Sequence, residues 1–267
     1  MTATAPDLLA TIVAAARRIT DVRAETIPLT MVERAAANRQ PDGPGFLRAL
    51  RDGEAPRVIA ECKRRSPSRG ILREDYRPAD HARAYAEAGA AAISVLTEPT
   101  FFDGALEHLA SVRTAVRVPI LRKDFIVTRY QVLEGVMAGA DAILLIVGAL
   151  TPAGLRDLLD VARQAGAAAL VEIHDGDELE VAVDAGAEII GVNSRNLRTL
   201  AVEPDLHERL VAQLPRSVVS VAESGLRDAA DLGRLERAGY DAFLVGERLI
   251  VEPDPGAALR ALRGGPA

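Results

Sequence analysis

One short phrase, Ala-Gly-Ala followed by an apolar run, recurs along most of this chain and strongly limits its fold. It stands at 88–90, 138–140, 165–167 and 185–187, and a variant, Ala-Gly-Tyr, stands at 238–240. Each glycine follows a helix-like segment, at the place where a left-handed residue commonly ends a helix. Because an apolar run comes next each time, the chain repeats a unit of one strand and one helix.

The spacing of these phrases predicts the number of units. Some neighbouring phrases are 20 to 27 residues apart, and the two longer gaps are each about two units long. An apolar run inside each long gap supplies a missing strand, and one more run precedes the first phrase. The eight predicted strands are 58–62, 92–96, 118–121, 142–146, 168–171, 189–192, 218–222 and 242–245.

Eight such units predict an α/β fold, the (β/α)8 TIM barrel. Near-continuously apolar strands indicate a parallel sheet covered by helices. Eight units in roughly 250 residues are what a closed barrel of this type requires. A doubly wound open sheet is the alternative, but the Gly-x-Gly-x-x-Gly turn expected after its first strand is absent here.

Residues 1–47 are predicted to form a helical extension that packs on a catalytic barrel spanning 48–267. Asp7 is a candidate N-cap for the first helix, and a second helical piece lies around 30–38. Pro-Asp-Gly-Pro at 41–44 predicts a break. A short helix then leads into the first strand, and the extension carries no obvious chemistry.

The composition argues against several classes of protein. The 267 residues are 49% hydrophobic and 26% charged, and the net charge of -6 with 3% aromatic residues speaks against a nucleic-acid binder. No apolar run approaches the roughly 20 residues that a membrane helix needs. A single cysteine, Cys62, and the lack of signal-peptide features predict a cytoplasmic protein. The expected oligomeric state is a monomer or weak homodimer. The four histidines show no ligand spacing with this cysteine, so no metal is expected.

Polar side chains collect where the predicted strands end. Glu61 and Lys63 are two residues apart, so both face the same side of the first strand. A lone pair of this kind is most often a structural ion pair, but the pattern recurs along the chain. Four later strand ends carry Lys123, Glu172, Asn193 and Glu223.

These strand ends predict one acid–base site, because active sites of such barrels lie at the carboxyl ends of the strands. The predicted ring consists of two lysines, two glutamates and one asparagine: Lys63, Lys123, Glu61, Glu172 and Asn193. It supplies proton donors and acceptors whose pKa values neighbours can pull toward neutrality. Lys63 or Lys123 could instead form a Schiff base with a carbonyl substrate. The spacing alone leaves that alternative open.

A second subsite is predicted for a phosphate group. Ser224-Gly225 and Gly246-Glu247 follow the last two strands, where barrels commonly bind phosphate through backbone N–H groups. Glycine permits the close backbone approach that a phosphate needs. Ser66 in the first loop offers a hydroxyl. The competing interpretation is a pair of ordinary strand-to-helix turns.

At these strand ends the sequence closely resembles the indole-3-glycerol phosphate synthase family. Residues 60–70, Ala-Glu-Cys-Lys-Arg-Arg-Ser-Pro-Ser-Arg-Gly, resemble the family's first-strand signature. The resemblance covers essentially the whole chain, although Arg65 is bulkier than usual and Glu247 stands where some members have Ser. Further family motifs follow in order: Ser-Val-Leu-Thr-Glu at 94–98 with Phe-Phe-Asp-Gly at 101–104, Arg-Lys-Asp-Phe-Ile at 122–126, Leu-Val-Glu-Ile-His at 170–174, Gly-Val-Asn-Ser-Arg-Asn-Leu at 191–197 and Ala-Glu-Ser-Gly at 222–225.

The resemblance implies a reaction of tryptophan biosynthesis. A monofunctional carboxy-lyase without cofactors would close the ring of 1-(2-carboxyphenylamino)-1-deoxyribulose 5-phosphate, with loss of carbon dioxide and water. The resemblance also implies that Lys123 is the general acid at the substrate carbonyl. Lys63 would sit beside the substrate carboxylate, with a disputed second role as acid in dehydration. Glu172 would balance charge or act as a base, and Glu61 would assist the later proton removal.

The resemblance also implies how the substrate is held. Asn193 and Glu223 would orient substrate hydroxyls and the lysines. Arg195 would contact the anthranilate end or the mouth loop. The remaining implied contacts are an apolar slot for the aromatic ring, formed by Phe102 and Leu197, and a phosphate site formed by Ser66, Ser224, Gly225, Gly246 and Glu247.

Two competing functions fit parts of the sequence. One is another phosphate-binding barrel enzyme, such as a Schiff-base aldolase or a phosphoribosylanthranilate isomerase. That isomerase would need an inward cysteine on the first strand, whereas Cys62 alternates outward relative to Glu61 and Lys63. The other is a non-catalytic barrel that binds a phosphorylated ligand, which would not need Lys123 and Glu172 together.

Overall fold

A computed structural model of the protein describes residues 7–265 and contains a closed barrel of eight parallel strands. Strands that follow one another in the chain are neighbours in the barrel, and the last pairs with the first. The predicted (β/α)8 barrel is therefore confirmed. The barrel strands are β1 (Arg57–Cys62), β2 (Ala92–Leu96), β3 (Ile120–Lys123), β4 (Ala142–Ile146), β5 (Ala168–Ile173), β6 (Ile189–Asn193), β7 (Val219–Glu223) and β8 (Ala242–Val245).

Strand β3 differs most from its predicted position, since it begins and ends two residues later than 118–121. Pro119 has no N–H group to donate to a neighbouring strand. The strand instead continues through Arg122 and Lys123, which an apolar pattern does not include. Both charged side chains have partners, on opposite faces of the strand.

Within residues 7–265, a helix follows every barrel strand and three helices precede the first strand. The repeated glycines that predicted the helix ends, at 89, 139, 166, 186 and 239, all have positive φ angles between 80° and 122°. The helices are α1 (Leu8–Thr26), α2 (Leu29–Ala37), α3 (Gly43–Arg51), α4 (Pro78–Glu87), α5 (Leu106–Ala115), α6 (Arg129–Ala138), α7 (Pro152–Gln164), α8 (Gly176–Asp184), α9 (Leu206–Val211), α10 (Ala229–Ala238), α11 (Glu247–Ile250) and α12 (Pro255–Leu262).

Alternation along the strands separates two apolar cores. On β1, Val58 and Cys62 face outward and pack in the layer between strands and helices. Ile59 faces inward and belongs to the barrel interior, together with Leu121 and Leu144. Near the carboxyl ends the inward positions change from apolar to ionisable side chains, so one mouth of the barrel is polar.

Helix α3 closes the opposite mouth. Phe46 and Leu50 are fully buried and belong to the interior cluster. The break predicted over 41–44 is wrong in its second half, because α3 begins at Gly43. Asp42 accepts a hydrogen bond from the third residue of the helix, and Pro44 lies in the first turn, where its missing N–H is not needed.

Helix α1 begins as the sequence predicts, since the side chain of Asp7 accepts a hydrogen bond from the backbone N–H of Ala10. Its buried residues Leu9 and Ile12 join the cluster that contains Phe125, directly after β3. The predicted boundary after residue 47 falls inside α3, while residues 1–6 and 266–267 of the predicted units lie outside the described residues.

Among residues 7–265, no helix combines the length and apolar character needed to cross a bilayer.

Candidate active site

A cavity of about 460 Å³ opens at the carboxyl ends of the strands. This volume lies within the range of small-molecule sites, roughly 300–1,000 Å³. Every site residue predicted from the sequence lines it, so barrel closure brings together positions from all over the chain. These residues are Glu61, Lys63, Ser66, Phe102, Lys123, Glu172, Asn193, Arg195, Leu197, Glu223, Ser224, Gly225, Gly246 and Glu247.

Lys123 is the centre of the charged part of the cavity. Its Nζ lies 3.0 Å from Glu172 Oε2 and 3.1 Å from Glu223 Oε2. The two glutamates stand on β5 and β7 and are almost completely buried. One ammonium thus serves two carboxylates in a low-dielectric setting, where ionic groups interact strongly.

Burial and these contacts change the proton affinities of all three groups. Burial by itself lowers the pKa of Lys123, but the negative charges of Glu172 and Glu223 outweigh it and raise the pKa well above its usual value. Burial raises the pKa of Glu172, yet Lys123 overcomes it and holds that pKa below its usual value. Burial raises the pKa of Glu223, and the nearby Glu172 adds to the increase against the attraction of Lys123. The cluster therefore contains one stable ammonium, one stable carboxylate and one carboxyl that binds a proton easily.

The second lysine forms its own pair at the end of β1. Lys63 Nζ lies 2.6 Å from Glu61 Oε1. The carboxylate of Glu61 fills space that a side chain at position 246 would occupy, because a Cβ on Gly246 would lie 2.2 Å from Glu61 Oε1. Gly246 therefore has a steric role in this pair besides any role in binding phosphate.

The loop after β6 carries the next two predicted residues. The Oδ1 atom of Asn193 accepts a hydrogen bond from the backbone N–H of Arg195 at 3.0 Å. The Arg195 side chain in turn donates to the carbonyl of Leu200 at 3.1 Å. Asn193 thus ties the start of this loop to the strand end, and Arg195 holds the loop closed while lining the cavity.

An apolar wall completes the side of the cavity near β2 and β3. The rings of Phe102 and Phe125 pack with centroids 6.1 Å apart, and Leu197 joins the same cluster. Phe102 is held in place by Glu98, whose buried carboxylate accepts hydrogen bonds from three successive backbone N–H groups of the loop, including that of Phe102. The wall is suited to a flat, aromatic part of a ligand.

The predicted phosphate subsite has an unusual backbone. Ser224 and Gly225 both adopt left-handed conformations, with φ of 64° and 72°. Ser66 lies in a short two-stranded hairpin, Arg65–Ser66 against Gly70–Ile71, where the sequence pattern predicts only a loop. Glu247 does not extend freely into the cavity, since its Oε1 forms an ion pair with Arg69 Nε at 2.9 Å.

Sequence reasoning missed several residues that shape the site. His174 contacts both Glu172 and Glu178. A Cβ on Gly191 would lie 2.1 Å from Glu223 Oε1, so this glycine makes room for that carboxylate. Lysine usage is a further signal for the site residues that the sequence did predict. The sequence contains two lysines, Lys63 and Lys123, and its other basic residues of the Lys and Arg types are all arginines.

Two expectations concern groups outside the cavity. Cys62 faces outward, as the alternation predicts, and its Sγ lies 3.8 Å from the carbonyl oxygen of Pro78. Burial and the nearby Glu61 raise the pKa of the Cys62 thiol, so it is a buried, unreactive side chain. No cluster of three or more His, Cys, Asp or Glu suited to a metal ion is found among residues 7–265.

The fold and the cavity define a class of protein, a (β/α)8-barrel enzyme with acid–base groups at the carboxyl ends of its strands. Among solved structures, a 3-hexulose-6-phosphate synthase from Salmonella typhimurium superposes with a TM-score of 0.63 at 13% identity, over 78% of this chain and 97% of that chain. At this low identity the similarity concerns the fold.

Sequence comparisons narrow the class to one family. The family profile described as "Indole-3-glycerol phosphate synthase" matches residues 9–262. A protein of that name from Sulfurimonas denitrificans is 51% identical over 209 residues, covering 78% of this chain and 80% of the relative. "Indole-3-glycerol phosphate synthase 2" from Streptomyces coelicolor is 50% identical over 234 residues, covering 88% of this chain and 90% of the relative. The chain belongs to the indole-3-glycerol phosphate synthase family, which confirms the resemblance noted in the sequence.

Proposed function

We propose that this protein is a carboxy-lyase that converts 1-(2-carboxyphenylamino)-1-deoxyribulose 5-phosphate into indole-3-glycerol phosphate, carbon dioxide and water. The observation that carries the proposal is the position of Lys123, whose ammonium lies between two buried carboxylates beside an apolar wall. A substrate with an aromatic ring at one end and a phosphate at the other fits a cavity with these two ends.

Lys123 acts as the general acid of ring closure. The ring carbon that bears the carboxylate attacks the carbonyl carbon, and the carbonyl oxygen gains negative charge as the new bond forms. The ammonium of Lys123 transfers a proton to that oxygen. Glu172 and Glu223 keep this proton on Lys123 beforehand, because they raise its pKa, and a developing alkoxide is basic enough to remove it.

Lys63 binds the substrate carboxylate in the same step. Its ammonium is paired with Glu61 at 2.6 Å and lies on the inward side of β1. After ring closure the carbon–carbon bond to the carboxylate breaks, and its electron pair restores the unsaturation of the ring system as carbon dioxide leaves. Lys63 then protonates the departing hydroxyl during dehydration.

The final proton is removed by a carboxylate. Glu172 remains ionised because Lys123 outweighs the effect of burial on its pKa, and Glu61 assists from β1. Glu223 and Asn193 position the two lysines and the substrate hydroxyls. These steps balance without an oxidant or reductant, so the proposal includes no cofactor.

The remaining predicted residues bind the two ends of the substrate. Phe102 and Leu197 take the aromatic ring, and Arg195 contacts its carboxylated edge. The backbone at Ser224-Gly225, with φ values of 64° and 72°, offers a curved set of N–H groups for the phosphate. Ser66 and Gly246 lie on the rim of the same end, and Glu247 acts there through Arg69.

The test is the growth of indole fluorescence after the proposed substrate is added to the full-length protein. The chain contains no tryptophan, so the background is low. Wild type and Arg260→Ala, which removes an exposed cation from α12, are expected to show the rise, and Lys123→Ala is expected to lose nearly all of it. No rise in the wild type, with a phosphorylated ligand still bound, would reject the synthase proposal in favour of a binding barrel. Borohydride trapping with a sugar phosphate would reveal a Schiff base instead.

A further inference from the structure

The side chain of His174 lies between two carboxylates directly behind the catalytic cluster. It follows the last residue of β5, and its Nδ1 lies 3.1 Å from Glu178 Oε2. On the other side of the ring, Nε2 lies 3.4 Å from Glu172 Oε1. The imidazole is only 15% exposed, so both contacts are largely shielded from water.

The fold holds the outer carboxylate firmly. Glu178 lies in the first turn of α8, and the same Oε2 atom also accepts a hydrogen bond of 2.7 Å from the backbone N–H of His174. A Cβ on Gly148 would lie 2.8 Å from Glu178 Oε1, so the turn after β4 leaves just enough space for this carboxylate. The position of Glu178 is therefore determined by the start of α8, the end of β5 and the turn at Gly148.

The contacts determine the protonation state of the ring. An ionised carboxylate can only accept hydrogen bonds, so a ring that faces a carboxylate with each of its nitrogens is favoured with a proton on both. Burial alone lowers the pKa of His174, but the nearby carboxylates of Glu172 and Glu178 raise it to about 10. The two carboxylates therefore favour the imidazolium form of His174 at neutral pH.

Glu172 then has a cation at each oxygen. Its Oε2 faces Lys123 at 3.0 Å and its Oε1 faces His174 at 3.4 Å. The longer contact leaves Nε2 without a well-aligned acceptor among the described residues. Contacts of this kind often shorten when substrate binds.

We propose that His174 is a positioning residue, which is clamped by Glu178, holds the Oε1 edge of Glu172 and thereby presents Oε2 to Lys123. It touches no reacting atom. The inference rests on the proposed function only in giving Glu172 a part in catalysis. The charged groups that face this arrangement are Glu172 on β5, Glu178 on α8 and, beyond Glu172, Lys123 on β3.

The first test is NMR of the full-length protein labelled with ¹⁵N-histidine. The chain has four histidines, and His174→Gln assigns the signals of interest. We expect both ring nitrogens of His174 to show the imidazolium shift at pH 8, and Glu178→Gln to lower the pH at which that shift is lost. A neutral His174 ring at pH 7 in the wild type would overturn the proposal. This readout needs no turnover, so it stands even if the proposed reaction fails.

The second test separates positioning from folding. His174→Gln and Glu178→Gln are expected to lower kcat about tenfold, the effect of roughly one pKa unit on Glu172, with KM changed less than about twofold. Glu180→Gln, an exposed position on the same helix, is the matched control and should match wild type. His174→Ala should be slower than His174→Gln, which retains a hydrogen-bond donor. Wild-type kcat in both His174 variants, with the fold intact by circular dichroism, would also overturn the proposal.

Discussion

Two buried charge clusters lie back to back on strand β3 and differ in how their charges are balanced. The outer cluster surrounds Arg122, which is fully buried. Its Nε donates to Thr97, one terminal nitrogen to the carbonyl of Gln131, and the other to Asp124. Glu134 contacts the same guanidinium at 3.1 Å and is also paired with Arg23 of α1.

The inner cluster surrounds the next residue, Lys123. There one ammonium meets two nearly buried carboxylates. The Oε1 atom of Glu223 has no hydrogen-bond partner among the described residues, whereas the donors of Arg122 are paired with oxygen atoms. Two successive positions of one strand, on its opposite faces, thus carry a charge-balanced cluster and an unbalanced one.

The difference separates structural from chemical use of buried charge. In a fully paired ionic network proton exchange is unfavourable, because it would leave a partner uncompensated. Removing one member likewise leaves an uncompensated charge. An unbalanced cluster shifts proton affinities toward what acid–base catalysis needs. Substitutions on the two faces of β3 should therefore have separable effects, on stability for the outer cluster and on turnover for the inner one.

Lys123→Arg is expected to have the largest effect on catalysis. The positive charge would remain between Glu172 and Glu223, but guanidinium does not give up a proton at accessible pH. We expect kcat to fall by about 10²–10⁴-fold, the usual contribution of a general acid, while the unfolding midpoint stays near that of wild type. Single-turnover fluorescence measures the loss, and near-normal turnover would show that charge alone is enough.

Arg122→Met should have the largest effect on stability. Asp124 and Glu134 would lose a buried partner, so the free energy of unfolding should fall by about 3–5 kcal/mol. Urea denaturation measures this change. The matched control is Arg129→Met, which breaks an exposed pair with Glu33 and should cost about 0–1 kcal/mol. Equal effects of the two substitutions would contradict the assignment of a structural network.

Gly191→Ala should disturb the inner cluster without touching its charges. The new methyl would lie 2.1 Å from Glu223 Oε1, so that carboxylate must move away from Lys123. We expect kcat to fall by roughly 10²-fold, as for other displacements of about 1 Å in an active site. Gly233→Ala is the control, because its Cβ would meet only the end of the Arg237 side chain, at 3.4 Å. Unchanged turnover in Gly191→Ala would mean that Glu223 is not needed in its present position.

The smallest expected effect concerns stability and pH. The pKa of His174 is raised in the folded state from 6.5 to about 10. The charged His174 ring should therefore stabilise the folded state fully below about pH 6.5, and this contribution should disappear as the pH rises toward 10. The difference in free energy of unfolding between wild type and His174→Gln should therefore shrink by about 1–2 kcal/mol over this pH interval. This is less than the full pKa shift would give, because Glu178 is partly exposed to solvent. Urea denaturation at several pH values tests it, and a constant difference would contradict a charged His174.

Local sequence patterns were sufficient to predict the barrel and the outline of its mouth. Glycines with positive φ end the helices where the Ala-Gly-Ala phrases stand, because only glycine adopts that conformation without strain. The predicted site residues all line one cavity, since parallel strands of a barrel place their carboxyl ends together. The sequence misplaced β3 because an apolar pattern cannot include Arg122, whose charge is neutralised by side chains distant in the chain.

Only the tertiary structure decided which of these residues meet. Lys123 contacts carboxylates that are 49 and 100 positions away in the chain, and no local spacing determines which strand ends face each other across a barrel. The steric roles of Gly191 and Gly246 and the clamp on His174 likewise depend on distances between separate strands and loops. Composition and periodicity report the environment of one residue at a time, whereas proton affinity depends on the charges that closure of the barrel brings within a few ångströms.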